Sequence, residues 1–204
     1  MLPSSRLLAL VACALTTAAP AYAQAPLFQA HPSAVVAPST TPGPTELAID
    51  DGSSEYSVST ANNDQFVWMN VLTPPTELCS YRVERVRVIW PVFFIEVGQL
   101  ADIYLYTDAD GDHLPGTGAT FHTSLKNVPV QFNDGLTFSE YVLPTPLEVT
   151  GCDDLIVALV NRGMTNDDDA PAALDAGAPQ GRSWMGIYGG PPPDPPTIPA
   201  PIFG

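Results

Sequence analysis

Residues 105–118 read LYTDADGDHLPGTG, with Asp108, Asp110 and Asp112 on alternate positions. Carboxylates at this spacing can hold a hard cation. Calcium takes about six to eight oxygen ligands at about 2.3–2.6 Å. The three aspartates match the first, third and fifth places of an EF-hand loop. The match then stops: His113 stands at the sixth place, where that loop needs glycine, and Ala119 at the twelfth, where it needs glutamate. No helical pattern flanks the loop. The expectation is therefore a strand-to-turn loop with Asp108, Asp110 and Asp112 as a weak calcium site, and no other cofactor. The plainer alternative is a solvated acidic turn, since Asp and Gly favour turns in any case.

Other chemistries find less support. Nucleophilic hydrolysis needs an activated serine or cysteine beside a base. There is no G-x-S-x-G elbow, and the histidines are three: His31, His113 and His122. His113 and His122 could meet across a hairpin, but no H-E-x-x-H or Cys-x-x-Cys zinc pattern is present. A second acidic stretch, NDDDAP at 166–171, reads as a solvated loop. Tyr104 and Tyr106 share one face of IYLYT, with Ile103 and Leu105 on the other. If exposed, the two rings would form a platform on which a sugar face could stack; the alternative is cross-strand packing. Trp68, Trp90 and Trp184 read as core.

These residues need elements to position them. The chain opens with Arg6, a short apolar run and the small-x-small sequence AYA, which predicts a secretory signal peptide over 1–23. The alternative is a lipid anchor through Cys13 after LVA, but only about six apolar residues precede it, fewer than an ordinary signal core of about 7–15. Residues 24–44 form a linker rich in Pro, Ala and Ser. From 45 to 188, short runs rich in Val, Ile, Tyr, Phe and Trp alternate with turn residues, the all-β pattern. Strands are expected at TELAI, EYSVST, QFVWMNVL, RVERVRVIW, DIYLYT, ATFHTSL, LTFSEYVL, LEVT, LIVALVN and RSWMGIY, with NDG at 133–135 as a tight hairpin turn. LIVALV is apolar on both sides, as for a central strand. This predicts one antiparallel β-sandwich, jelly-roll-like, followed by a proline-rich tail over 189–204 that packs weakly and is dispensable for folding.

Without the signal peptide two cysteines remain, Cys79 and Cys152, and an exported chain is expected to pair them. The chain carries 22 acidic and 7 basic residues, a formal charge of −15. Nucleic acid is excluded as a partner, because phosphate binding needs a basic face. No segment reaches the ~18 apolar residues of a membrane helix. The protein is expected in the periplasm or outside the cell.

At LAIDDGSSEYSVS, NNDQFVWMNVLTPP, IYLYTDADGDHLPG and NRGMTNDDDAPAALDAGAPQGRSWMG the chain resembles a β-sandwich domain of secreted bacterial proteins, found alone or appended to exported peptidases and other hydrolases. The likeness spans roughly residues 46–196, and its motifs are turn motifs. That family usually resumes after the proline-rich loop with one more strand. The resemblance implies a non-catalytic binding or accessory module with an extracellular ligand, glycan or protein. Two alternatives accompany it: a carbohydrate-binding module using Tyr104 and Tyr106, and a hydrolase with an unrecognised site.

Overall fold

The computed structural model describes residues 46–49, 54, 56–59, 65–92, 95–162, 170–174, 181–188 and 190–198. The expected signal peptide and linker lie outside them. The described chain is all-β and antiparallel, with one short 3-10 turn at Thr76–Leu78. Its strands are β1 (Tyr56–Val58), β2 (Phe66–Leu72), β3 (Ser80–Ile89), β4 (Leu100–Asp108), β5 (Ala119–Pro129), β6 (Phe138–Thr150), β7 (Asp154–Val160), β8 (Ala172–Leu174) and β9 (Ser183–Ile187).

Five strands form the central sheet, in the order β5-β4-β7-β2-β9. β7, DLIVALV, is buried at every position and lies at its centre, as its unbroken apolar run predicts. Alternation then sorts the side chains. Ile103, Leu105, Leu155, Val157 and Leu159 point to one face. There they pack against Val83, Val86, Val88 and Tyr141 of the two-stranded β3–β6 ribbon, with Trp90 just beyond it fully buried. Val67, Met69, Val71, Tyr104, Tyr106, Ile156, Ala158 and Val160 point to the opposite face.

That opposite face is covered too. Trp184, Tyr188 and Ile198 pack against it, and Pro192 and Pro196 are buried. The expectation of a weakly packed tail is thus corrected for residues 190–198, which lie along the sheet; residues 199–204 lie outside the described chain. A proline segment cannot extend a ladder, but it can still shield side chains from water.

Three strand expectations also change. Residues 46–49 of TELAI form no strand; Glu46 instead pairs with Arg87 at 2.9 Å. LTFSEYVL and LEVT merge into the single β6, which runs through Pro144 and Pro146. The register against β3 shifts there, so residues 143–146 fall between the Leu147–Val83 and Val142–Arg85 pairs. Proline is tolerated because β6 is hydrogen-bonded on one side only. NDG is a turn, with Gly135 at φ +71°, but not a hairpin, since β5 and β6 belong to different sheets. Its bonds reach elsewhere: Gly135 N–H to the Trp90 carbonyl at 3.1 Å, Asn133 Nδ2 to the Ile95 carbonyl at 2.9 Å, and the Ser54 N–H to the Gly135 carbonyl at 2.9 Å.

Cys79 and Cys152 are disulfide-bonded, with Cα atoms 4.0 Å apart across 73 residues of sequence. The bond ties the start of β3 to the turn between β6 and β7. Ser80 of β3 and Thr150 of β6 are register partners at that same end.

Candidate functional site

β4 and β5 are antiparallel neighbours, and Asp108 is paired with Ala119. DADGD is therefore the start of their connecting loop. Asp108 is the last residue of β4 and points to the face of Tyr106 and Tyr104. Its carboxylate is fully buried. Asp110 and Asp112 follow in the loop, both exposed, and one carboxylate oxygen of each aspartate lies within 4.8 Å of the other two.

The loop builds this cluster with its own backbone. Asp110 Oδ1 accepts the Asp112 N–H at 3.1 Å, and Asp112 Oδ1 accepts the Leu114 N–H at 2.7 Å. Thr117 Oγ1 donates to Asp112 Oδ2 at 2.9 Å. The Leu114 N–H holds the Asp112 pKa below the usual carboxylate value; loss of hydration opposes it, and the Thr117 hydroxyl adds to the lowering. Gly118 closes the loop at φ +74°; a Cβ there would lie 2.5 Å from Asp108 Oδ1 and 2.8 Å from Asp110 Oδ2. Only glycine leaves room for both carboxylates at that point.

Asp108 has the opposite electrostatics. Burial, augmented by the charges of Asp110 and Asp112 and opposed by a long Asp110 N–H contact, raises its pKa to about 6. Its Oδ2 is buried and has no hydrogen-bond partner. A buried carboxylate oxygen in this state is costly.

The neighbour across the sheet shows the contrast. Asp154 of β7 is the register partner of Asp108 and is 3% exposed. His113 Nδ1 lies 2.5 Å from its Oδ2 and Arg182 Nη1 3.9 Å. His113 reaches it because its backbone takes φ +62°. So the histidine at the place of the EF-hand glycine adopts the left-handed backbone a glycine would and turns its ring toward β7. Two adjacent buried carboxylates are treated differently: His113 and Arg182 face Asp154, and Asp108 Oδ2 has no partner.

The two histidines do not meet. His122 Nε2 bonds Thr107 Oγ1 at 2.8 Å. Neither imidazole is hydrogen-bonded to a serine or cysteine among the described residues.

The tyrosine platform is corrected outright. Tyr104 is 0% and Tyr106 is 4% exposed. The expectation assumed that one face of β4 meets water; here residues 190–198 lie over it. Tyr104 OH sits in a polar knot with Asp102, Lys126, Arg162 and Asp194. Burial raises the pKa of both phenols; for Tyr104 the Lys126 and Arg162 bonds partly offset it. Sequence reasoning missed this knot. Asp102, Lys126 and Arg162 stand far apart in sequence and only the β5-β4-β7 order joins them.

Comparison with protein-family models, with curated proteins and with solved structures returns no match.

Proposed function

We propose that this chain is an exported, non-catalytic β-sandwich that serves as a binding or accessory module, with a calcium ion organising its β4–β5 loop. The sandwich reading is supported by the packing of the five-stranded sheet against the β3–β6 ribbon around one apolar layer. Export is supported by the signal-like N-terminus and by the Cys79–Cys152 bond, which persists in oxidising compartments. Among the described residues no helix is long and apolar enough to cross a membrane.

The observation that carries the cation is Asp108: a fully buried carboxylate, one oxygen unpartnered, within 4.8 Å of two further carboxylates. Asp108, Asp110 and Asp112 supply oxygen ligands, and water completes the shell of a weak extracellular site. Calcium is favoured over magnesium because its loose geometry accepts an irregular set of loop oxygens, whereas magnesium demands a near-ideal octahedron. The ion would fix the loop at the mouth of the β4–β5 hairpin, beside the disulfide-anchored start of β7.

Thermal melts of the secreted protein in chelator, calcium and magnesium test this. The midpoint should climb with calcium concentration, because a ligand of the native state alone stabilises it. A flat response through several millimolar calcium, the range of weak extracellular sites, would remove the metal. Turnover in a general hydrolase panel would remove the non-catalytic reading.

A further inference from the structure

The outer face of the central sheet is closed by chain that offers it almost only acceptors. Pro191, Pro192, Pro193, Pro195 and Pro196 have no backbone N–H. The sheet meets them with donors. Arg162 sends Nη1 to the Pro192 carbonyl at 3.0 Å and Nη2 to the Pro193 carbonyl at 2.9 Å. Tyr106 OH donates to the Pro196 carbonyl at 2.7 Å, and Tyr188 OH to that of Thr197. The Asp194 carboxylate takes Tyr104 OH at 3.1 Å and forms an ion pair with Lys126. Pro192 and Pro196 are buried between these contacts, and Ile198 joins the apolar cluster below.

The donors are held from beneath. Asp102, 3% exposed, accepts Arg162 Nε at 2.7 Å and the Asn127 N–H at 2.9 Å. Lys126 Nζ stands 3.9 Å from the centre of the Tyr104 ring. None of these three contacts involves residues 190–198. A face with aromatic rings as its floor and fixed donors aimed at successive carbonyls is the arrangement that reads proline-rich peptides, which carry little entropy to lose. The basic pair adds a demand for one acid within the peptide. On the same face, Trp184 Nε1 is buried without a partner, a donor that the present occupant leaves unused.

We propose that this face is a recognition groove for an acidic proline-rich peptide, held closed in cis by residues 191–198. The segment follows Gly190 and is fastened by side-chain contacts rather than by a strand ladder. It is a displaceable occupant with Asp194 as its latch. The inference is independent of the cation, whose aspartates make none of these contacts.

The full chain tests it. Asp194→Lys sets a third cation against Lys126 and Arg162 and should free the segment, seen as free-chain exchange at the Thr197 and Ile198 amides. A fluorescent peptide with the sequence of residues 190–198 should then bind this variant at least tenfold more tightly than wild type, because cis occupancy lowers apparent affinity by the fraction of open groove. The same peptide with lysine in place of its aspartate should not bind. If Asp194→Lys does not melt cooperatively, Asp194→Asn removes the charge at constant shape and the same comparison is made. Absence of peptide binding to an opened variant would overturn the groove, as would equal binding to wild type. A segment that stays closed in both variants would overturn the latch.

Discussion

Replacing Asp108 by Asn separates the cation-free loop from the loaded one. Without a cation, Asp108 is a buried carboxylate whose pKa is raised from 3.8 to about 6, chiefly by burial. One pKa unit corresponds to about 1.4 kcal/mol, so ionising this group in the fold costs at most about 3 kcal/mol, less what water around Asp110 and Asp112 screens. The folded protein holds the proton more tightly than the unfolded chain does. The stability this confers is therefore full below about pH 4 and is lost as pH rises to about 6. The Asp108→Asn variant has no proton to lose and keeps an oxygen for the Asp110 N–H. In chelator at pH 7 it should be more stable than wild type by about 1–3 kcal/mol, or roughly 2–4 °C in Tm for each kcal/mol. At pH 4 the advantage should vanish; comparing the two proteins at each pH cancels the opposite contributions of carboxyls with lowered pKa, such as Asp134 and Asp194. Calcium should reverse the order. At about 100 times Kd wild type gains about 2.7 kcal/mol, and the variant, short of a ligand, gains much less. Urea denaturation at four combinations of pH and calcium reads all of this. If the variant is the less stable protein in chelator at pH 7, or gains as much from calcium, Asp108 is not a buried charge awaiting a cation.

Three further outcomes follow from the same structure. Replacing Cys79 and Cys152 by serine should cost up to about 4 kcal/mol, the chain-entropy value for a loop of 73 residues, and non-reducing peptide mapping of wild type should show that one linked pair. Gly118→Ala should destabilise by more than about 1 kcal/mol, because φ +74° disfavours a side chain and its Cβ would displace the Asp108 and Asp110 carboxylates; its calcium response by calorimetry should shrink in step. Asp102→Asn should cost about 3 kcal/mol by denaturant melts, since it leaves Arg162 and Lys126 beside one another without their buried counter-charge; a loss under about 0.5 kcal/mol would show that the pair is solvated well enough without it.

The cluster of aspartates was legible in the sequence because its carboxylates lie on alternate residues: Asp108, Asp110 and Asp112 need only one turn to converge. The disulfide was legible because setting aside Cys13 in the expected signal peptide leaves two cysteines, which allow one pairing. β7 was legible because a strand apolar on both sides has to lie in the middle of a sheet. β8 was not, since Ala172–Leu174 carries no alternation and pairs with β1 only when the fold brings Val58 opposite Ala172. His113 could be read as a departure from a calcium loop, yet not as the partner of Asp154, which lies 41 residues away.

By itself, then, the sequence determined the all-β class, the acidic loop and the cross-link, all properties of local pattern and residue type. The tertiary structure alone decided which carboxylate oxygen is left without a partner and which carboxylate is partnered, because that depends on what faces β4 and β7 across space. It also decided the fate of Tyr104 and Tyr106. Alternation placed them on one side of β4, but whether that side meets water depends on residues some 90 positions later folding back across it. Burial is a property of the assembled surface, and no window of sequence contains it.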